Sequence, residues 1–342
     1  MKLKENISLK SFNTFGIDAK ARYFSSFSSV GELARLQAHD FRLPTFILGG
    51  GSNILFIKDF DGLVLKNEVI GIQKIIEDDE YVYVKAGAGE NWHRFVLHCI
   101  ENNWAGVENL SLIPGCIGAS PMQNIGAYGV EISEVFHELS AYHLEEHMPY
   151  TFMLKDCEFG YRNSVFKNRY KDKFAIISVT YKLRKKPQFN TSYGAVEQEL
   201  ERMGVRELST RAISQAIINI RSSKLPDPSI LGNAGSFFKN PGVSAEEFQY
   251  LKSKFPTITG HENKDGTVKL SAGWLIEHCG PEENTTWKGF RRGDAGCYSK
   301  QALVLVNYGH APGAEIYALS EEIRESVAEK FNVKLEREVN II

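Results

Sequence analysis

Leu48-Gly49-Gly50-Gly51-Ser52-Asn53-Ile54-Leu55 sets three glycines and two small polar residues between two apolar runs. Bare backbone of this kind can turn consecutive N–H groups toward one anion, so the segment reads as a phosphate-binding nest. A tight hairpin needs only a two-residue turn, and three successive glycines exceed that need. Neither common nucleotide fingerprint fits. GxGxxG fails at Ile54 and no GxxxxGK[ST] aligns, which counts against a P-loop kinase and a Rossmann dehydrogenase. Upstream, Phe46-Ile47-Leu48 reads as a buried strand entering the glycines, and Ser28 to Gln37 as a helix behind a serine cap. A compact βαβ-like lobe is expected over residues 1–65.

A second loop of the same kind follows. Ile113-Pro114-Gly115-Cys116-Ile117-Gly118-Ala119-Ser120-Pro121 runs into Gln123-Asn124-Ile125-Gly126-Ala127-Tyr128-Gly129, again small residues with amide side chains. Two such loops on different lobes suit a long dinucleotide better than a single phosphate. FAD leads, although the loops alone leave other nucleotides open. The expected cofactor contacts are Gly49, Gly50, Gly51, Ser52 and Asn53 in the first loop. In the second they are Gly115, Ile117, Gly118, Gln123, Asn124, Gly126 and Ala127. The first loop holds no histidine and Cys116 is the only thiol nearby, which favours non-covalent flavin.

The rest of the chain divides by pattern. Tyr81-Val82-Tyr83-Val84-Lys85-Ala86 alternates as a strand, Trp92 to Asn102 reads as a helix, and residues 66–223 form a second, mainly β lobe that ends in helices at Ala195–Met203 and Thr210–Ser223. Lys224-Leu225-Pro226-Asp227-Pro228 breaks the last of these and opens a third domain over 224–332, which closes with an amphipathic helix from Ala314 to Phe331. Residues 333–342, with strand character from Leu335 to Ile342, are expected to return to the active site.

Composition narrows the function. With 40 basic and 42 acidic residues among 342, the formal net charge is −2, which gives no footing for nucleic acid or a membrane surface. Five scattered cysteines without a CxxC pair read as reduced thiols. Met1-Lys2-Leu3-Lys4-Glu5-Asn6 has charge but no following apolar region, and no apolar run approaches the ~20 residues of a membrane span. A soluble, cytoplasmic protein is expected. His143-Leu144-Glu145-Glu146-His147 satisfies the H-x-x-E-H pattern of a zinc peptidase. That chemistry needs a helix, whereas residues from Glu138 alternate like a strand, which would hold the two histidines about 13 Å apart. No metal is expected.

Gly232-Asn233-Ala234-Gly235-Ser236-Phe237-Phe238-Lys239-Asn240-Pro241 places a hydroxyl among permissive backbone, two aromatics, a cation and an amide. Read alone it serves equally as a turn leading into a core strand. Phe159-Gly160-Tyr161-Arg162-Asn163-Ser164, Asn13-Thr14-Phe15-Gly16 and Leu270-Ser271-Ala272-Gly273-Trp274-Leu275-Ile276-Glu277 complete a set that, taken in order over nearly the whole chain, resembles the UDP-N-acetylenolpyruvoylglucosamine reductase family.

The resemblance implies an α+β architecture: a two-lobed vanillyl-alcohol-oxidase-like (PCMH-type) FAD-binding fold plus an α/β substrate-binding domain. It implies reduction of UDP-N-acetylglucosamine enolpyruvate to UDP-N-acetylmuramate for peptidoglycan, with FAD bound non-covalently and NADPH as co-substrate, by a cytoplasmic enzyme expected to be a monomer. It carries catalytic roles to Arg162, Ser236 and Glu338, and substrate contacts to Tyr128, Tyr193, Lys224, Asn240 and Gln301. The segment around Tyr193 is similar to the subclass that closes a tyrosine-bearing loop over substrate. Two departures stand out. His261 occupies a place where an aromatic contact is expected, and the chain ends four residues after Glu338, so that Glu338 is expected to be held by little beyond its own strand.

The chemistry asks for these groups. Hydride addition to an electron-rich enolpyruvyl double bond requires the adjoining carboxylate to be polarised, which suits an always-charged, two-pronged guanidinium such as Arg162. A protonated Glu338 can stabilise an enol-like intermediate. Ser236 is placed to protonate the other carbon, with help expected from a nearby cation such as Lys239 or from water.

Overall fold

The computed structural model describes residues 3–37, 43–263 and 265–342; Met1 and Lys2 of the charged N-terminal hexapeptide lie outside them. Contacts divide the chain into two compact units. One comprises residues 1–7, 21–51 and 61–223, and the other 8–20, 52–60 and 224–342. Residues 8–20 and 52–60, assigned on sequence to the first lobe, therefore pack in the second unit, as do the last ten residues.

The first unit is built on two sheets. In one, the strands Lys4–Ser8, Lys20–Phe27, Phe60–Asn67 and Thr45–Leu48 lie in that order, the last two parallel, with Leu48 opposite Lys66. The expected helix spans Val30–Gln37 and buries Leu33 and Leu36, one turn apart, against Phe27, Leu63 and Leu65. Burying a leucine fully contributes roughly 1.5–3 kcal/mol. The Ser29 hydroxyl accepts from the Glu32 amide at 3.2 Å and caps the helix.

The other sheet is antiparallel, in the order Met148–Met153, Phe136–His143, Phe174–Arg184, Tyr81–Gly87, Ile72–Glu77. Alternation in Tyr81–Gly87 sends Val82, Val84 and Ala86 into the core. They meet the helix Trp92–Glu101, whose buried Trp92, Phe95, Val96, Cys99 and Ile100 recur at helical spacing. Two further helices, Gly194–Arg202 and Thr210–Lys224, pack through Val196, Leu200, Ile213 and Ile217. The second runs through Lys224, one residue beyond the expected break.

The second unit pairs Gly232–Ser236, Val304–Asn307, Ala295–Cys297 and Arg291–Arg292 in an antiparallel sheet. The helix Gly313–Phe331 buries Ile316, Leu319, Ile323, Val327 and Phe331. Its first residue has to be glycine, because a Cβ there would lie 1.7 Å from the Phe56 carbonyl oxygen. Of the tail, only Asn340–Ile341 forms a regular strand, parallel to Ile54–Leu55.

The H-x-x-E-H motif is no helix: it leaves the strand Phe136–His143 into a hairpin turn over 144–147. His143 ends its strand, the His147 amide bonds back to the His143 carbonyl at 3.0 Å, and His143 Nδ1 accepts the Glu145 and Glu146 amides. Among the described residues no group of three or more His, Cys, Asp or Glu could hold a metal ion. All five cysteines are free thiols, and burial pushes Cys157 and Cys297 up to about 12, where little nucleophilic thiolate forms. No described helix is long and apolar enough to cross a membrane.

Candidate active site

The two glycine loops meet within the first unit. A Cβ on Gly50 would lie 2.8 Å from the Gly115 Cα, and one on Gly118 would lie 2.7 Å from the Ala88 Cβ. Only bare backbone permits this approach. The second loop is seated on the antiparallel sheet by a buried hydrogen bond of 2.7 Å between the Ser120 and Tyr181 hydroxyls, and by the Ser120 hydroxyl donating to the Ile117 carbonyl at 2.8 Å. A cavity of about 140 Å³ opens beside the loops, lined in part by Gly49, Ala88, Gly118, Met122 and Phe174. The Lys66 ammonium bonds to the Gly49 carbonyl and so brings a positive charge to the first loop. A backbone cradle with no room for a Cβ at Gly50 or Gly118, with a cation at its edge, fits the diphosphate of FAD. Lys66 was not singled out in the sequence. No local pattern in Leu65-Lys66-Asn67 marks it; only the pairing opposite Leu48 does.

Arg162 sits at the tip of a tight hairpin, where Gly160 and Asn163 exchange hydrogen bonds of 3.1 Å. Its backbone is left-handed at φ +52°, as is that of Tyr128 at +50° and Asn124 at +46°. Such angles are uncommon for bulky side chains and concentrate where surrounding structure imposes them for function. The imposing contacts are present. Asn124 Nδ2 donates to the Gly160 carbonyl at 3.2 Å, the Ser164 hydroxyl to the Met122 carbonyl at 2.7 Å, and Arg162 Nη2 to the Gly126 carbonyl at 2.6 Å. Asn124 thus ties one expected cofactor loop to the hairpin that carries the guanidinium.

The Tyr128 ring meets the Tyr193 ring edge-on at 5.3 Å. Asn190 Nδ2 donates to the Gly129 carbonyl at 2.9 Å, so the segment before Tyr193 is pinned to the segment after Tyr128. Tyr193 caps the helix Gly194–Arg202 and is half exposed. Arg221 is a second guanidinium that the sequence did not disclose. Its Nε donates to the Leu112 carbonyl at 3.3 Å, it lies close enough to Arg162 for their charges to repel and near the Tyr128 hydroxyl, and it is pushed down by burial. Burial likewise pushes the Tyr128 hydroxyl up. In Arg221-Ser222-Ser223-Lys224 an arginine reads as a solvated helix end, and only tertiary burial distinguishes it.

In the second unit Ser236 and Glu338 come together. A bulge between Asn233 and Ser236, with Gly235 at φ +71°, turns Ser236 to lie opposite Val304. The Asn233 side chain accepts the Gly235 amide at 3.0 Å and locks this turn. The Glu338 amide donates to the Phe237 carbonyl at 2.9 Å and the Lys239 amide to the Glu336 carbonyl at 2.9 Å, so the tail runs beside the serine strand. On its other side, Asn53 Nδ2 donates to the Glu338 carbonyl at 3.3 Å. Glu338 is therefore held from two sides, contrary to the expectation that its own strand alone supports it. Lys239 forms an ion pair with Glu336, which ties up the cation expected to assist Ser236.

Asn240 and Gln301 converge on the start of the helix Ala272–Glu277. Asn240 Oδ1 accepts the Ala272 amide at 3.0 Å, and a Cβ on Gly273 would lie 3.1 Å from Gln301 Oε1. Lys224 is the exposed last residue of its helix, and His261 is exposed in the strand Gly260–Glu262.

Two closely approaching glycine loops with a cation at their edge, in a chain order that is not that of a Rossmann fold, fit an FAD-dependent oxidoreductase. Residues 28–142 match the family described as FAD binding domain, and residues 227–342 match UDP-N-acetylenolpyruvoylglucosamine reductase, C-terminal domain. The chain is 49% identical over 344 residues to UDP-N-acetylenolpyruvoylglucosamine reductase of Amoebophilus asiaticus, covering 100% of both. It is 49% identical over 343 residues to the protein of the same name from Flavobacterium johnsoniae, again covering 100% of both. The crystal structure of UDP-N-acetylenolpyruvylglucosamine reductase from Thermus caldophilus shares the fold at TM-score 0.69 and 20% identity, over 100% of this chain and 99% of that one. This chain belongs to the UDP-N-acetylenolpyruvoylglucosamine reductase family.

Proposed function

We propose that the chain reduces UDP-N-acetylglucosamine enolpyruvate to UDP-N-acetylmuramate at the expense of NADPH, with Arg162, Ser236 and Glu338 as the groups that meet the enolpyruvyl moiety. The observation that supports the residue assignment is the pairing of the Glu338 amide with the Phe237 carbonyl at 2.9 Å, which sets the Glu338 backbone beside the Ser236 strand. Gly49, Gly50, Gly51, Ser52 and Asn53 with Gly115, Ile117, Gly118, Gln123, Asn124, Gly126 and Ala127 hold the cofactor through backbone and small side chains. When bound, FAD supplies the hydride relay between NADPH and the substrate.

The protein's own part is electrostatic and protonic. Arg162 binds the enolpyruvyl carboxylate and draws charge toward it, and Glu338 in its protonated form stabilises the enol-like species that hydride addition creates. Ser236 donates its hydroxyl proton to the other carbon and recovers one from water, which makes the sum one hydride and one proton added across the double bond. Tyr128, Tyr193, Lys224, Asn240 and Gln301 serve the nucleotide and sugar. On this reading the enzyme works as a cytoplasmic monomer. The test is NADPH oxidation by the FAD-loaded protein with and without the enolpyruvyl UDP-sugar. Oxidation that does not depend on the sugar overturns the reading.

A further inference from the structure

The side chain of Asn53 faces the segment that bears Glu338. Its Nδ2 donates to the Glu338 carbonyl at 3.3 Å, while its own carbonyl accepts the Asn340 amide at 3.1 Å and Asn340 Nδ2 at 3.0 Å. Next along, Ile54 and Leu55 pair with Asn340 and Ile341, the Ile342 amide donates to Leu55 at 3.0 Å, and the Ile57 amide to Ile342 at 2.9 Å. All these residues lie in the second unit. Both backbone polar groups of Glu338 are consequently held: its N–H by Phe237 beside Ser236, its C=O by the amide that follows the glycine run.

We propose that Asn53 is a positioning residue for Glu338. A residue held at both its N–H and its C=O has its Cα–Cβ direction set, and the Glu338 side chain thereby leaves the backbone in a fixed direction. Of the links between the two segments, the bond to the Glu338 carbonyl is one that depends on the Asn53 side chain; the bonds from Asn340 use the Asn53 backbone. Removing the amide thus takes this bond from the Glu338 carbonyl while the parallel strand pair survives. Because Asn53 lies two residues after Gly51, one segment of chain carries both the phosphate cradle and the hold on the acid. The proposal rests on the function proposed above only in taking Glu338 to act on the enolpyruvyl group.

The test uses the full-length FAD-loaded protein with Asn53→Ala, and Asn53→Asp as a second variant that keeps the size but sets an acceptor against a carbonyl. Misplacing a reacting group by about 1 Å costs on the order of a hundredfold. The step from reduced flavin to the enolpyruvyl sugar is expected to slow at least ~10-fold more than flavin reduction by NADPH, with the pH profile of that step displaced. Amide exchange, which needs no turnover, is expected to quicken at Glu338 and Val339 and to hold at Ile342. Equal slowing of both steps, or rates that recover at saturating FAD, would make Asn53 a cofactor contact and overturn the proposal, as would unchanged exchange at Glu338 and Val339. If the wild-type protein does not reduce the enolpyruvyl sugar, the functional reading fails, and the exchange measurement still decides the Asn53 to Glu338 link.

Discussion

Glu338 and Phe237 are 101 residues apart and joined by a hydrogen bond of 2.9 Å from the amide of one to the carbonyl of the other. The relationship makes Ser236 and Glu338 neighbours through backbone, so either side chain can be changed without undoing the pairing that places it. Glu338→Gln keeps the shape and removes the ionisable proton. Turnover is expected to fall ~10²–10⁴-fold, the range for losing an acid or base, with the melting temperature and UDP-sugar affinity close to those of the wild type. Steady-state kinetics beside a thermal melt checks this. A rise in KM with normal kcat would make Glu338 a binding group.

The contact of Gly50 with Gly115 is a sharper test of the cofactor site. Here the colliding atoms, Gly115 Cα at 2.8 Å and C at 3.2 Å, are backbone and cannot swing aside. Gly50→Ala is expected to weaken FAD at least ~10-fold by spreading the two loops, the equivalent of about 1.4 kcal/mol. Gly31, in a helix and with nothing within 4 Å of its would-be Cβ, is the control. Gly31→Ala is expected to stabilise the fold by roughly 0.4–1 kcal/mol and leave FAD binding alone. Flavin fluorescence quenching and urea unfolding separate the two effects.

What the sequence disclosed and what it hid divide along the range of the interactions. Trp92–Glu101 and Tyr81–Gly87 were readable because helix and strand periodicity is a local property of side-chain order. The glycine loops were readable because bare backbone has few uses. Arg221 was not, since nothing in Arg-Ser-Ser-Lys tells a half-buried guanidinium from a solvated one. Nor was the hold on Glu338, which depends on an asparagine 285 positions earlier. Arg162 was chosen for its motif, but its left-handed backbone at +52° was invisible because no glycine marks it. The tail from Leu335 read as strand on alternation alone, yet only Asn340–Ile341 finds a regular partner.

The helix that carries Tyr193 is tied down by Glu199. Arg202 donates to its two oxygens at 2.7 and 2.6 Å, and Asn219 Nδ2, from the neighbouring helix, donates at 2.7 Å. The Arg202 bonds, foremost, hold the Glu199 carboxyl down at about 2, against an ordinary value of 4.5. Since the folded protein binds this proton more weakly than the unfolded chain, the stabilisation is complete above pH 4.5 and is lost as pH falls toward 2. The stability gap between wild type and Glu199→Gln is therefore expected to be constant above pH 4.5 and to shrink below it. Urea titrations at a series of pH values measure the gap. A gap that widens on acidification would show that Glu199 is not the charged partner drawn here.

Ser236 allows the two halves of the reaction to be told apart. Its hydroxyl is delivered by the bulge at Gly235, and the cation nearest in sequence, Lys239, is paired with Glu336. Proton donation by Ser236 consequently has to draw on water or on the substrate's own charge, and loss of the hydroxyl has no lysine to cover for it. Ser236→Ala takes one oxygen from a partly exposed position, so folding and FAD content are expected to stay near those of the wild type. Flavin reduction by NADPH requires no proton at the substrate carbon and is expected to proceed at close to the normal rate. Reduction of the enolpyruvyl sugar is expected to slow by ~10²–10⁴, far above the effect of a lost loop contact. Ser236→Cys, with a thiol in place of the hydroxyl, should recover part of that rate if the group acts as an acid. Stopped-flow absorbance of the flavin resolves the two steps, and equal slowing of both, or of neither, would reduce Ser236 to the residue that ends a turn.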